Sequence, residues 1–163
     1  MCIRDRNLTS AYSSFVNGGK IISPIIIDRI QDSEGQTILN NETRKCDKCE
    51  QISYLSNSYP TIKNDFKQIF SPETAYQITS MLEGAIQRGT GKGLRDLNLD
   101  IAGKTGTTNK NTDTWFIGYT SKLIVGIYVG FDNPKSLGKK ETGARTAMPV
   151  SYTHLTLPTN REV

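Results

Sequence analysis

The chain has 163 residues, of which 36% are hydrophobic, and it carries a formal net charge of +4. This length suffices for one domain with its own core, and a charge so mild, without a dense run of Lys or Arg, argues against a nucleic-acid-binding protein. No apolar run approaches the roughly 18–20 residues that cross a bilayer, and the first six residues lack the apolar stretch of a signal peptide.

Both ends of the chain look foreign to the rest. Residues 1–6 and 151–163 show no helical or strand period and resemble conceptual translations of sequencing-adapter DNA. We therefore expect both segments to be non-native and residues 7–150 to be a partial domain. On this view His154, which is the one histidine of the chain, lies outside the native part and supplies no chemistry.

The first native segment predicts a helix followed by a hairpin. Apolar residues recur at helical spacing within residues 8–17 (Leu8, Ala11, Tyr12, Phe15), and Gly18-Gly19 ends the helix. Residues 24–30 are β-branched and predict a strand, whose hairpin partner is residues 36–39 after a turn at residues 32–35. Residues 40–70 are polar without a clear period, so we expect an irregular insertion there.

Within that insertion, Cys46 and Cys49 form a Cys-x-x-Cys pair. Half of a zinc site would need a second pair or histidines, and none lies nearby. A thioredoxin-type redox motif would need a strand before it and a helix after it, whereas the flanks here are loop-like. A local disulfide or two unused thiols is the favoured interpretation, and the role of the pair stays open.

The rest of the chain predicts a helix and then a sheet. Ser71, Pro72 and Glu73 are residue types that cap and begin a helix, and Gly89 ends it. Its predicted apolar face consists of Ala75, Ile78, Leu82, Ala85 and Ile86. Three strand-like segments follow at residues 99–107, 114–120 and 123–131, with connections short enough to force antiparallel pairing. The third is almost wholly apolar and predicts a strand buried on both faces. A last helix is expected to begin within residues 143–150.

The tetrad Lys104-Thr105-Gly106-Thr107 lies near the end of the first of these strands, and several motifs surround it. These motifs are Gly89-Thr90-Gly91, Ala102-Gly103-Lys104-Thr105-Gly106-Thr107-Thr108, Asp113-x-Trp115-Phe116-x-Gly118-Tyr119, Gly126-x-x-Val129-Gly130-Phe131-Asp132 and Glu141-Thr142-Gly143-Ala144-x-x-Ala147-x-Pro149. Together with the segment of residues 8–38, this pattern resembles the transpeptidase domain of class A penicillin-binding proteins, the bifunctional peptidoglycan synthases.

The resemblance implies an α/β (α+β) fold of the penicillin-binding transpeptidase and serine β-lactamase type, an antiparallel sheet with flanking helices. It also implies acyl transfer by an active serine. Lys104 would supply positive charge to the cleft, and Thr105 and Thr107 would offer hydroxyls to the substrate carboxylate. Gly106 would let substrate lie close to the strand, and the backbone N–H of Thr107 would form half of the oxyanion hole.

The sequence departs from the family pattern at the nucleophile. The one Ser-x-x-Lys match, Ser136-Leu137-Gly138-Lys139, follows the Lys-Thr-Gly strand, whereas the family's serine lies far upstream at a helix start. No Ser-x-Asn occurs. We therefore expect no nucleophile in this chain, and we expect both missing motifs, a glycosyltransferase domain and a membrane anchor to precede residue 7 in the parent gene.

The resemblance further implies peptidoglycan stem peptides as substrate, β-lactams as covalent inhibitors of the intact parent, and no cofactor or metal. The parent would be anchored in the bacterial cytoplasmic membrane with this domain facing the periplasm. Two alternatives remain open, a fragment related to serine β-lactamases and a non-catalytic binding module of the same fold.

Overall fold

The computed structural model describes residues 2–42, 45–47, 61–63 and 66–156. Within these ranges the helices are α1 (Cys2–Val16), α2 (Pro72–Gln87) and α3 (Ala147–Thr156), with short 3-10 turns at Lys92–Leu97 and Asn109–Asn111. The strands are β1 (Arg29–Gln31), β2 (Thr37–Asn40), β3 (Lys45–Asp47), β4 (Thr61–Lys63), β5 (Ala102–Thr107), β6 (Asp113–Tyr119) and β7 (Ile124–Gly130). The chain forms two compact units, one of Met1–Ile22 with Gln68–Val163 and one of Ser23–Lys67. No helix in the described part is long and apolar enough to span a membrane.

The larger unit is built on an antiparallel sheet in the order β5-β6-β7. Side chains alternate between the faces of a strand, so the partners of β6 identify each face. Tyr119 bonds Thr79 of α2 on one face, while Thr114 bonds Thr146, just before α3, on the other. Helices therefore lie on both sides of the sheet, as the sequence predicts for an α+β fold.

The core lies on the α3 side of the sheet. Phe116 at the centre of β6 is completely buried and packs with residues from α2, the first 3-10 turn and α3. The other buried members of this cluster are Ile86, Leu94, Ile101, Ala147, Met148 and Leu155. Burying a side chain of this size stabilises a fold by about 1.5–3 kcal/mol, so Phe116 contributes substantially to the packing of β6 against the helices.

Helix α2 begins and ends where the sequence predicts. The hydroxyl of Ser71 accepts the backbone N–H of Thr74 at 3.2 Å, and Pro72 occupies the first turn. Glu73 also lies in that turn, where its own backbone N–H and then the Ser71 hydroxyl lower the pKa of its carboxyl. Two members of the predicted apolar face, Ala75 and Ile86, are buried, which confirms that face of the helix.

Helix α1 ends at the predicted glycines but begins earlier and buries other residues. It starts at Cys2, and its predicted apolar residue Leu8 is 40% exposed. Among residues 5–16, whose burial is described, the buried side chains are Ser13 and Ser14, and their hydroxyls bond backbone carbonyls one turn earlier. The prediction was wrong for Leu8 and Ala11, which are exposed, whereas Tyr12 and Phe15 are half-buried and Phe15 stacks on Phe70. The helix packs closely on the sheet, because a Cβ at Gly126 would clash with Thr9.

The smaller unit contains two hairpins. β1 pairs with β2 as predicted, but the strand covers only Arg29–Gln31 instead of residues 24–30. The isoleucines at 25, 26 and 27 are all exposed, so β-branched composition alone did not make a strand there. β3 pairs with β4, which corrects the prediction that residues 40–70 lack regular structure. Cys46 of β3 takes part in a disulfide, in agreement with the disulfide interpretation, whereas Cys49 lies outside the described residues.

Two predictions near the end of the chain were also wrong. β7 is half-buried rather than buried on both faces, because within the described residues it is the outer strand of the sheet. Regular structure does not stop at Val150 either. α3 continues to Thr156, and Ser151 and Leu155 are buried at helical spacing from Ala147. The foreign origin proposed for residues 1–6 and 151–163 stays a prediction.

Candidate functional site

Strand β5 carries the Lys-Thr-Gly tetrad along the edge of the sheet. It pairs only with β6 in the described sheet, with Lys104 opposite Ile117 and Gly106 opposite Trp115. Just beyond the strand, the N–H of Thr108 donates to the carbonyl of Asp113 at 3.0 Å. Bonded and non-bonded pairs alternate along an antiparallel ladder, so the N–H and C=O groups of Thr105 and Thr107 point away from β6.

Lys104 places a positive charge at this outward edge. The side chain is exposed, and its Nζ donates to the backbone carbonyl of Thr105 at 2.7 Å. That carbonyl is one of the groups that point away from β6, so the ammonium lies beside the open edge. A cation here attracts carboxylates, and three N–H donors on a flexible stem let the bond exchange readily.

The hydroxyl of Thr105 forms a hydrogen bond with a residue that lies outside the sheet. Its Oγ1 lies 2.7 Å from the Oγ1 of Thr90, in the turn that follows α2. The glycines flanking Thr90 allow that turn to pack closely, since a Cβ at Gly91 would lie 2.5 Å from Ile86 Cδ1 and one at Gly89 would lie 2.7 Å from the carbonyl oxygen of Ala85. The end of α2 therefore fixes the position of a hydroxyl on the edge strand.

The hydroxyl of Thr107 forms a hydrogen bond with a residue from the segment that precedes α3. It accepts the backbone N–H of Gly143 at 3.0 Å. Gly143 is buried over the Gly106–Trp115 pair, where a Cβ would lie 2.6 Å from the carbonyl oxygen of Gly106 and would clash with that of Trp115. The hydroxyl of Thr107 can still donate its own hydrogen, so it remains available to an acceptor at the edge.

The turn between β5 and β6 is held by an aspartate. Asp113 accepts from the backbone of Thr108 and donates its N–H to the Thr108 hydroxyl at 2.9 Å. Its Oδ1 accepts the phenol of Tyr128 on β7 at 2.6 Å, and Tyr128 packs on Trp115 with ring centroids 5.1 Å apart. The hydrogen bond to Asp113 is the largest cause that raises the pKa of Tyr128 to about 12, followed by desolvation and the negative charge of Asp113.

Ser136, the one serine with a lysine three residues later, lies in the chain segment after β7. Its hydroxyl accepts the backbone N–H of Gly138 at 3.2 Å, which is a local turn bond. The same segment is tied to the β5–β6 connection through Asn111, whose backbone carbonyl accepts the N–H of Leu137 at 2.8 Å. Ser136 thus serves as a turn residue.

The predicted site residues Lys104, Thr105, Gly106 and Thr107 are therefore brought together on one open strand edge. The arrangement offers a cation, two hydroxyls and outward backbone groups that an extended chain can pair with. Sequence reasoning missed that Thr90 and Gly143 bond the two threonine hydroxyls. The signal was present only in part: both belong to the glycine-containing motifs that accompany the tetrad, but nothing in their spacing shows which residues they contact.

The comparisons with known proteins point to the penicillin-binding proteins. Residues 6–152 match the penicillin binding protein transpeptidase domain. Penicillin-binding protein 1A of Rickettsia typhi is 46% identical over 145 residues, which is 88% of this chain and 18% of that protein. The protein of the same name from Pseudomonas aeruginosa is 32% identical over 173 residues, covering 88% of this chain and 21% of that protein.

Solved structures agree in fold. Penicillin-binding protein 1A from Haemophilus influenzae matches with a TM-score of 0.71 at 26% identity, over 93% of this chain and 26% of that chain. PonA1 from Mycobacterium tuberculosis matches with a TM-score of 0.65 at 21% identity, over 93% of this chain and 38% of that chain. The chain thus spans about a fifth of the length of the curated relatives it matches.

Proposed function

Because the chain belongs to the penicillin-binding protein transpeptidase domain family, as a class A member, we propose that it carries the substrate-binding strand of a D,D-transpeptidase. The parent enzyme would cross-link peptidoglycan stem peptides by serine acyl transfer, with release of a terminal D-alanine. β-Lactams would acylate the parent at the same serine. The parent would be held in the cytoplasmic membrane with this domain outside it, and residues 7–150 would be its native part.

The observation that carries this proposal is the open edge of β5 beside the Lys104 ammonium. An extended peptide can add to such an edge as a further strand, and its main-chain groups would pair with the outward groups of Thr105 and Thr107. The peptide's C-terminal carboxylate would meet Lys104 and the two threonine hydroxyls. Charge and hydrogen-bond donors then lie where a substrate with a free carboxylate needs them.

Catalysis would use the same edge. The N–H of Thr107 points away from β6 and is free of the ladder, so it can donate to the oxyanion that forms on the attacked carbonyl. Gly106 leaves the adjacent backbone uncovered by a side chain, which lets the substrate carbonyl approach. Lys104 would favour the deprotonated nucleophile through its positive charge.

We propose that the nucleophile itself lies outside these 163 residues. Ser136 is bonded within a turn and does not begin a helix, unlike the family's serine. The chain alone is then inactive, and its incubation with fluorescent penicillin should leave no band that survives denaturing electrophoresis. Stoichiometric labelling of the chain would overturn this part of the proposal.

The substrate-binding role can be tested on the same chain without acylation. We expect N-acetyl-D-alanyl-D-alanine to shift the amide resonances of residues 104–107 saturably. Lys104→Gln should weaken this binding by about 1 kcal/mol, or roughly fivefold, since the ion pair is exposed. Lys110→Gln removes an exposed lysine outside the strand and should leave binding unchanged. Peptide shifts that miss β5, or equal effects of the two substitutions, would refute the proposed role.

The two alternative functions differ from this proposal in the gene upstream of Asn7. A transpeptidase parent requires a Ser-x-x-Lys motif at a helix start, preceded by a glycosyltransferase domain. A non-catalytic module would lack that motif. A β-lactamase would have the serine and would also hydrolyse the acyl-enzyme quickly, so the deacylation rate of the completed protein separates it from a transpeptidase.

A further inference from the structure

A cavity lies in the larger unit, at the other end of β5 from the tetrad. It has a volume of about 340 Å³, is open to solvent and is lined by the end of α1, one face of α2, the start of β5 and the end of β6. Cavities of this size are large enough for a small organic ligand. β5 contributes only Ala102 to it, so none of the residues 104–107 lines this cavity.

The walls of the cavity are largely apolar and aromatic. Phe15 and Val16 come from α1, Ala75 and Tyr76 from α2, and Tyr119 from β6. Tyr76 is 74% exposed, so its ring stands at the mouth with room to move over a ligand. Aromatic rings of this kind present electron-rich faces, which attract organic cations.

The charges of the lining are all negative. Glu83 of α2 and Asp100, just before β5, both line the cavity, and the described residues of the lining include no lysine, arginine or histidine. Both carboxylates are on exposed residues, so they lie toward the solvent side of the cavity. The cavity therefore offers negative potential at its mouth and apolar surface further in.

The inner wall carries one hydroxyl pair. Tyr119 is 2% exposed, and its phenol lies 3.1 Å from the Thr79 hydroxyl. Burial is the main cause that raises the pKa of Tyr119, and the negative charge of Glu83 raises it further, while the bond to Thr79 opposes both. Tyr119 thus stays neutral, so the inner wall adds no charge to the negative mouth.

From this charge and shape we propose that the cavity binds a small organic ammonium compound, with the apolar body against Phe15, Ala75 and Ala102. The ammonium group would lie between Glu83 and Asp100, under the ring of Tyr76. This site is distinct from the β5 edge and does not rest on the proposed transpeptidase role. A ligand here would contact the start of the strand whose far end carries the tetrad.

The experiment compares three probes of similar size on the unmodified chain: phenethylammonium, neutral 2-phenylethanol and anionic 3-phenylpropanoate. Amide shifts of Ala75, Thr79 and Ala102 report binding at the cavity. We expect saturable binding of the cation, about threefold or more weaker binding of the alcohol, and no saturable binding of the anion. This series needs no variant, so it does not depend on a substitution folding correctly.

Variants then test the two carboxylates. Glu83→Gln and Asp100→Asn keep shape and remove charge, and each should weaken phenethylammonium binding about threefold while leaving 2-phenylethanol unchanged. Glu73→Gln removes a carboxylate of α2 outside the cavity and serves as the matched control. Equal affinity for cation and alcohol, or no loss in either cavity variant, would overturn the proposal. Binding of the D-alanyl-D-alanine peptide at residues 104–107 is read separately, so failure here leaves the transpeptidase proposal standing.

Discussion

Gly143 is the position where one methyl group should disturb the candidate site most. Its Cα lies over the bonded pair formed by Gly106 and Trp115, and an alanine Cβ would be 2.6 Å from the Gly106 carbonyl oxygen and 3.1 Å from its nitrogen, besides clashing with the Trp115 carbonyl. All three contacts are backbone atoms, which cannot rotate aside as a side chain could. Gly143→Ala must therefore lift the segment away from the sheet.

The size of the effect follows from what the lifted segment loses. Overfilling a packed site costs about 1–3 kcal/mol, and the bond from the Gly143 N–H to Thr107 contributes about 1 kcal/mol. The Gly143 carbonyl also accepts the N–H of Met148 at 2.8 Å. Lifting Gly143 in the variant would therefore also strain the start of α3. We expect Gly143→Ala to lower the free energy of unfolding by about 2–4 kcal/mol, or the Tm by about 5–15 °C.

Urea denaturation of the chain, followed by circular dichroism, measures this loss. Gly84→Ala is the matched control, because a Cβ there meets only the guanidinium of exposed Arg88. Replacing a glycine inside a helix should raise stability by up to about 1 kcal/mol. The two variants are thus expected to move the midpoint in opposite directions. A Gly143→Ala midpoint equal to that of the unmodified chain would refute the steric reasoning.

Two further predictions concern other hydrogen bonds of the larger unit. Ser71→Ala removes the acceptor for the N–H of Thr74 and should lower the free energy of unfolding by about 1 kcal/mol; an unchanged urea midpoint would show that the cap contributes nothing. Tyr128 has a pKa raised from 10.0 to about 12 by its bond to Asp113, so the folded state holds its proton longer than the unfolded chain does. That stabilisation is complete below pH 10 and is lost as the pH rises to about 12. Tyr119 also titrates late, so spectrophotometric titration of Tyr128→Phe should show the late step shrink by one tyrosine, and a late step of unchanged amplitude would refute the assignment.

The sheet could be predicted from the sequence because local signals agreed there. Residues 114–120 and 123–131 are β-rich with a two-residue connection, and short connections leave only antiparallel pairing. The helix that follows Ser71 was equally clear, since cap, proline and apolar spacing coincide. Residues 24–30 have the same β-branched composition as a strand, yet only Arg29 to Gln31 pairs. A strand needs a partner as well as a propensity, and composition does not specify the partner.

Packing distances explain the mistaken face of α1. Hydrophobic periodicity assigned Leu8 to the buried face, but Ser14 is the fully buried residue. A close helix–sheet contact at Gly126 favours small side chains, and their hydroxyls are bonded within the helix. Such an approach depends on the opposing strand, more than 100 residues away in sequence. The helix was therefore predictable, whereas the burial of Ser13 and Ser14 was not.

The same dependence on distant partners explains why the tetrad alone does not describe the site. Thr105 and Thr107 occur in the motif, but Thr90 and Gly143, which bond their hydroxyls, come from segments before and after the sheet. Both bonds are made by the threonine side chains. They therefore fix the position of β5 without occupying its outward backbone N–H groups. In the proposed function, an edge fixed in this way would not need to reorganise to receive a peptide strand or an oxyanion. The contacts of Thr90 and Gly143 thus hold the proposed substrate-binding strand in position with residues of this chain alone.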